Sequence, residues 1–164
     1  MARTRDIAVE SPEELDELPL ARILRLMGGS EVFRKRAITS QFDVHDMIIK
    51  GLPGGSLMFM VKHMETLKPA DVSRAVGVSV RTVQRRKGKP QKALSKDQSG
   101  RAWKFAEILT NASEVFGSQA EAERWLASPA MALDQRRPVD MLTTPAGVEM
   151  VQQLLGRLAH GVYT

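Results

Sequence analysis

Three polar side chains between positions 81 and 85 have the types and the spacing needed to read DNA bases. Arg81, Gln84 and Arg85 recur at i, i+3 and i+4, so a helix would present them on one face. In the major groove, arginine can donate two hydrogen bonds to guanine, and glutamine can form a similar pair of bonds with adenine. The pattern predicts that these residues contact base edges. A helical hairpin with a solvated basic face is the alternative interpretation.

Positive charge is concentrated around these residues. Residues 81–104 include nine basic residues and one acidic residue, Asp97, in a chain of 164 residues whose net charge is +5. A local positive block is typical of a surface that contacts phosphates. We therefore predict phosphate contacts from Ser79, Thr82, Arg86 and Lys87. A solvated lysine-rich linker is the alternative for residues 87–96.

The residues that could read bases need a rigid scaffold, and residues 68–87 have the pattern of a helix-turn-helix. Pro69 suits the first position of a helix, and Val72 and Val76 lie four residues apart on one face. Gly77 can adopt the left-handed conformation that ends this first helix. In the DNA-binding form of the motif, the second helix enters the major groove.

The second helix of the motif is predicted to begin after Ser79, which is a good N-cap. Val80 and Val83 would face inward, opposite the three polar residues. Arg86 stands where a further apolar residue is common, so we expect other contacts to anchor this helix.

Apolar residues recur at helical spacing in seven further segments. These are residues 20–27, 32–38, 44–48, 57–64, 102–116, 122–126 and 148–158. The predicted N-caps are Ser56, Ser95, Ser118 and Thr144, and the predicted helix stops are Gly28, Gly29, Gly117 and Gly161. A single turn is expected at residues 137–141. Because no stretch of strand length alternates convincingly, the predicted fold class is all-α.

The composition argues against enzymatic and membrane functions. Cysteine is absent, and His45, His63 and His160 are scattered, so we expect no metal site, no cofactor and no catalytic residues. The first twenty residues lack a long apolar core, and eighteen apolar residues never run together. We expect a cytoplasmic protein without a signal peptide or a membrane span.

Composition and charge suggest three parts. Residues 1–19 are predicted to form a mobile arm, or a short helix capped by Ser11 with Pro12 at its first position. Residues 20–94 are predicted to form a helical domain around the helix-turn-helix. Residues 95–164 are predicted to form a second helical domain.

The second half contains motifs that resemble a known family. They are Glu114-Val115-Phe116-Gly117, Trp125-Leu126, Pro129, Pro138-x-Asp140-x-Leu142-x-Thr144-x-x-Gly147 and Leu155-x-Arg157-x-x-His160-Gly161. In this order they resemble the Xre/MbcA/ParS antitoxin family, and the resemblance extends over residues 51–164. It implies an Xre/Cro-like DNA-binding domain followed by a toxin-binding domain. It also implies binding and neutralisation of a RES-domain toxin that consumes NAD, and repression of the protein's own operon as a dimer or larger assembly.

The resemblance also implies where the toxin binds. Its predicted contacts are Arg136, Arg157, His160, Gly161, Val162, Tyr163 and Thr164, with residues 161–164 forming a tail that enters the NAD cleft of the toxin. The alternative for Tyr163 is that it folds back onto its own domain. Many relatives carry Asn-Pro-x-Leu-Gly-Gly where this chain has Ala-Met-Ala-Leu-Asp-Gln at residues 130–135. A stand-alone transcriptional regulator, with a carboxy-terminal domain for dimerisation or sensing, is the alternative function.

Overall fold

A computed structural model of the protein describes residues 19–34, 37–85, 88–89 and 92–162, and for Val80 it describes the backbone alone. Within these ranges the fold is all-α, as predicted. The α-helices are α1 (Pro19–Leu26), α2 (Gly29–Phe33), α3 (Gln41–Lys50), α4 (Gly54–Lys62), α5 (Pro69–Val76), α6 (Val80–Arg85), α7 (Lys96–Phe116), α8 (Gln119–Ala127), α9 (Pro138–Met141) and α10 (Pro145–Ala159). A 3₁₀ turn, Met131–Leu133, lies between α8 and α9.

The long helix α7 is the centre of the fold. Ser95 caps its start as predicted and forms a capping box with Gln98, since each backbone N–H donates to the other's side chain at 3.1 Å. Helices α1, α3, α5, α8 and α10 all pack against α7. Its buried residues, including Phe105 and Leu109, belong to one apolar core with contributions from both halves of the chain.

The predicted caps of α8 and α10 are confirmed. The N–H of Glu121 donates to the hydroxyl of Ser118 at 3.2 Å, and the N–H of Gly147 donates to the hydroxyl of Thr144 at 3.1 Å. Pro145 is the first residue of α10. These signals are local, because the cap and the N–H that it satisfies are three residues apart.

The predicted start of α4 was wrong. The helix begins at Gly54, and Ser56 is a buried residue of its first turn whose hydroxyl donates to the carbonyl of Pro53 at 2.7 Å. The N–H of Gly54 donates to the carbonyl of Lys92 at 3.0 Å. A distant backbone segment therefore satisfies a group that would otherwise need a local cap.

The prediction that Gly29 stops a helix was wrong, because Gly29 is the first residue of α2. The helix predicted for residues 32–38 therefore begins earlier and is shorter in the structure. It ends at Phe33, and Arg34 adopts a φ of 53° while its N–H donates to the carbonyl of Ser30. Ile38 lies in the following loop and packs partly against the core. A capping box of Ser40 and Asp43, which the sequence analysis missed, then sets the start of α3.

The predicted arm at residues 1–19 lies outside the described residues except for Pro19, which begins α1. The expectations for Ser11 and Pro12 fall in that part of the chain. Among the helices that the structure describes, none combines the length and the apolar character that a membrane span requires.

Candidate nucleic-acid interface and carboxy-terminal surface

Helices α5 and α6 form the predicted helix-turn-helix. The first of them ends at Val76, and Gly77 follows in the left-handed conformation, with φ 77°. The N–H groups of Gly77 and Val78 both donate to the carbonyl of Ser73, at 2.8 and 3.0 Å. This turn favours glycine at position 77, because a residue with a side chain would be strained at a positive φ. Val76 and Val78 are buried and attach the turn to the core.

Ser79 caps the second helix of the motif, as its position predicted. The N–H of Thr82 donates to the Ser79 hydroxyl at 3.1 Å, and the two hydroxyls lie 2.8 Å apart. Val83 is buried, and α6 packs against α4 as well as α5. The contact with α4 provides the additional anchoring that Arg86 made necessary.

The residues predicted to read bases are all exposed. Arg81, Gln84 and Arg85 lie on α6 opposite the buried Val83. The side chain of Thr82 is partly covered. The predicted phosphate contacts Arg86 and Lys87 lie outside the described residues. The structure thus presents the helix face that DNA recognition requires, and the assignment of single residues to bases or phosphates stays a prediction.

Two basic residues of the positive block, to which the sequence analysis gave no individual role, lie beside this helix. Lys89 and Lys92 line a surface cavity of about 250 Å³ together with Thr82 and Arg85. Three cationic side chains and a hydroxyl around one cavity can bind a phosphate through charge and hydrogen bonds. Sequence spacing did not reveal this group, because Lys89 and Lys92 lie beyond the last residue of α6 in the sequence.

A charged network joins the first helix of the motif to the second half of the chain. Asp71, on α5, pairs with Arg74 and with Arg137, and Arg137 also binds Asp140. Burial raises the pKa of Asp71, but the hydrogen bonds and charges of Arg137 and Arg74 outweigh burial and hold this pKa below its ordinary value. Hydrogen bonds to Asp140 and Asp71 raise the pKa of Arg137.

The loop at residues 130–136 is a tight turn with two residues in the left-handed region. Asp134 and Gln135 have φ angles of 55° and 60°. The N–H of Ala130 donates to the carbonyl of Arg136, and the N–H of Gln135 donates to the carbonyl of Ala130, both at 3.0 Å. These are the positions at which the family motif has two glycines. The chain keeps the conformation that glycine favours although its own residues carry side chains.

Gly161 stops the carboxy-terminal helix as predicted, two residues after α10 ends at Ala159. The N–H of Gly161 donates to the carbonyl of Leu158 at 3.2 Å, and the N–H of Val162 donates to that of Arg157 at 2.9 Å. This pair of bonds is the Schellman motif. Val162 is 50% exposed, and Arg157 and His160 are exposed too.

The other predicted toxin contacts are Arg136, in the loop at residues 130–136, and Tyr163 and Thr164 at the end of the sequence. Arg136 is exposed and lies 3.9 Å from Asp134, whereas Tyr163 and Thr164 lie outside the described residues. A single toxin-binding surface formed by these residues stays a prediction.

The spacing from Pro138 to Gly147 has a steric explanation. A side chain at Gly147 would place its Cβ 1.9 Å from the carbonyl oxygen of Met141, the last residue of α9. Only glycine allows α9 and the first turn of α10 to approach this closely. The glycine at the end of this motif is therefore required by the packing of α9 against α10.

Comparisons with known proteins divide the chain into two matched regions. Residues 43–107 match the antitoxin Xre-like helix-turn-helix domain, and residues 111–161 match the antitoxin Xre/MbcA/ParS C-terminal toxin-binding domain. The two regions meet inside α7. The predicted division between residues 94 and 95 concerns independent folding and stays a prediction.

Three similar proteins carry the name antitoxin Xre. A protein of Pseudomonas putida is 31% identical over 156 residues, which are 90% of this chain and 95% of that protein. One of Photorhabdus laumondii is 30% identical over 117 residues, which are 69% of this chain and 76% of that protein. One of Yersinia enterocolitica is 30% identical over 100 residues, which are 60% of this chain and 67% of that protein.

Proposed function

The chain belongs to the Xre/MbcA/ParS family of antitoxins, and we propose that it neutralises a RES-domain toxin that degrades NAD and represses its own operon. Membership of this family means that the chain is an antitoxin with a helix-turn-helix domain. The identity of the toxin and the repression of the operon are the steps that the proposal adds. It assigns the chain no catalytic activity and no cofactor, and it places its action in the cytoplasm, where operator DNA is found.

The observation that carries the DNA-binding part is the exposed face of α6. Arg81, Gln84 and Arg85 project from a helix that is capped by Ser79 and anchored through Val83. The helix is thus fixed while its polar face is left open, which suits insertion into a major groove. Lys89 and Lys92 extend the positive charge next to it.

The toxin-binding part is supported by the match over residues 111–161 and by the exposed ends of the carboxy-terminal helices. Arg136, Arg157 and His160 offer cationic or polar contacts, and Val162 offers an apolar one. We propose that this surface covers the NAD cleft of the toxin. We also propose that a homodimer binds the operator, because two-fold symmetry is common in helix-turn-helix repressors, and that the toxin joins it in a larger assembly.

One experiment tests both parts. Cells co-express the protein with the toxin encoded beside its gene, and a reporter follows the promoter of that operon. The Arg81→Ala, Arg85→Ala double variant should lose repression and still preserve cellular NAD. Arg157→Ala, which removes a basic side chain far along the sequence from α6, should keep repression.

The stand-alone regulator gives a different result. It would repress the promoter and leave NAD levels unchanged by its presence. If the double variant represses as strongly as the natural protein, α6 does not read the operator. If the natural protein fails to preserve NAD, the RES assignment is wrong.

A further inference from the structure

The buried carboxylate of Glu123 lies at the junction between the two matched regions. Glu123 is on α8, in the toxin-binding region, and its exposed fraction is 0%. The carboxylate accepts the N–H groups of Glu65, Thr66 and Leu67 at 2.6 to 3.0 Å. Gln119 adds a side-chain hydrogen bond of 2.7 Å. Three successive backbone N–H groups thus form a concave anion site that is filled by the protein's own side chain.

The contacts around Glu123 suit an ionised carboxylate. A carboxylate is acceptor-only, and every partner that the structure gives it is a donor. Burial raises the pKa of Glu123, but hydrogen bonds from Leu67, Gln119, Thr66 and Glu65 outweigh burial and hold this pKa below its ordinary value. The negative charge of Glu123 is therefore retained inside the fold, because a neutral side chain would accept hydrogen bonds from these donors less well.

The backbone that Glu123 holds leads directly into the helix-turn-helix. Residues 65–67 precede Lys68, the N-cap of α5, which has no side-chain cap of its own. At the other end of α5, the guanidinium of Arg101 donates to the carbonyls of Arg74 and Ala75, both at 3.1 Å. Side chains from outside the motif thus fix both ends of α5. The orientation of α6 depends on that of α5, because the short turn at Gly77 joins the two helices.

We propose that Glu123 is a positioning residue for base readout, which sets the orientation of α6 from within the toxin-binding region. The inference rests on the proposed DNA binding and goes beyond it. Base contacts depend on the orientation of α6 because bidentate hydrogen bonds need close alignment. Contacts with phosphates depend mainly on charge, and Glu123 does not alter the charges on α6. Glu123 should therefore affect sequence preference more than overall attraction to DNA.

The test compares the natural promoter fragment with a scrambled duplex of equal length at one salt concentration. Glu123→Gln keeps the size of the side chain but places an amide N–H₂ against backbone donors. We expect its affinity for the promoter to fall about tenfold, while its affinity for the scrambled duplex stays within about twofold. Glu121→Gln is the matched control, because Glu121 is an exposed glutamate on the same helix that pairs with Arg124. It should behave as the natural protein does.

A second variant keeps the test decisive if Glu123→Gln does not fold, which circular dichroism will show. Gln119→Ala removes one donor to Glu123 and the 2.9 Å bond to the carbonyl of His63, and should reduce promoter affinity alone by about threefold. Equal losses on both duplexes, or an unchanged promoter preference in the folded variants, would overturn the inference. A natural protein without promoter preference would instead overturn the proposed operator binding, and this inference with it.

Discussion

Arg137 and Asp71 form an ion pair that joins the toxin-binding region to the first helix of the DNA-reading motif. Nη2 of Arg137 donates to Oδ1 of Asp71 at 3.1 Å, and Nε and Nη2 bind the two carboxylate oxygens of Asp140 at 2.7 and 2.8 Å. Asp71 is 6% exposed, so its charge depends on these partners. The two regions are therefore connected by polar contacts as well as by a common apolar core.

We expect Arg137→Ala to lower the free energy of unfolding by about 1 to 2 kcal/mol. Asp71 would stay buried but would lose one of its two arginine partners and retain only Arg74. Urea denaturation at pH 7 measures the change. Arg136→Ala is the control: its side chain is exposed and its ion pair with Asp134 is long, so the loss should be below about 0.5 kcal/mol. Equal losses from the two variants would show that the pair with Asp71 contributes nothing specific.

Stability should decrease in acid because of Glu123 and Asp71. The folded protein holds the pKa of each carboxyl below its ordinary value. Each group therefore contributes stability that is fully present above its unfolded pKa, about 4, and is lost as the pH falls through the folded pKa.

Urea denaturation between pH 3 and pH 7 should show this dependence. The difference between the natural protein and Glu123→Gln should be constant above about pH 5 and should shrink in acid. A difference that grows as the pH falls would contradict the assignment of an ionised Glu123.

Local signals explain why much of the fold could be predicted from the sequence. The caps at Ser79, Ser95, Ser118 and Thr144 each act on an N–H three residues ahead, so spacing alone reveals them. The turn at Gly77 is equally local. The helix-turn-helix was found in this way because its two helices and its turn are all encoded within twenty residues.

Contacts between distant segments could not be predicted in that way. The N–H of Gly54, the first residue of α4, donates to the carbonyl of Lys92, which no local pattern reveals. The prediction that Ser56 caps this helix was therefore wrong. The sequence analysis gave Glu123 no role, because the backbone groups that it binds lie more than fifty residues earlier. The tail is a different case, because only the family resemblance pointed to Tyr163.

Base and phosphate contacts should respond differently to substitution. Arg85→Ala should cost about 1 to 3 kcal/mol on the natural promoter and relax sequence preference, because a base contact is lost. Lys89→Ala should weaken binding to promoter and scrambled duplexes alike and reduce the slope of log K against log salt by about one. Fluorescence anisotropy over a salt series measures both. A change in sequence preference with Lys89→Ala would show that it reaches a base.

Replacing Gln135 by glycine should stabilise the protein. Gln135 has φ 60°, where a side chain is strained, so Gln135→Gly should raise the free energy of unfolding by about 0.5 to 1 kcal/mol. Gln153→Gly, at an exposed position inside α10, should lower it by about 1 kcal/mol. The same sign for both variants in thermal denaturation would refute the explanation.

Removal of residues 161–164 should separate stability from toxin neutralisation. The buried residues of α10, Val151, Leu154 and Leu155, precede the cut, so the free energy of unfolding should change by less than about 1 kcal/mol. Promoter binding should be unchanged. Protection against the toxin should be impaired, because an aromatic anchor and its apolar neighbour are lost from the proposed contact. Cellular NAD during co-expression with the toxin gives the measurement.

A milder variant distinguishes loss of contact from fraying of α10. The double change Val162→Ser, Tyr163→Ser keeps Gly161 and its hydrogen bond to Leu158, so the end of the helix is retained. It should fail to preserve NAD to a similar degree as the deletion. If Tyr163 instead folds back onto its own domain, the double variant should lose stability and keep protection. Full NAD preservation by both variants would assign neutralisation to other residues, with Arg136 and Arg157 as the next to be replaced.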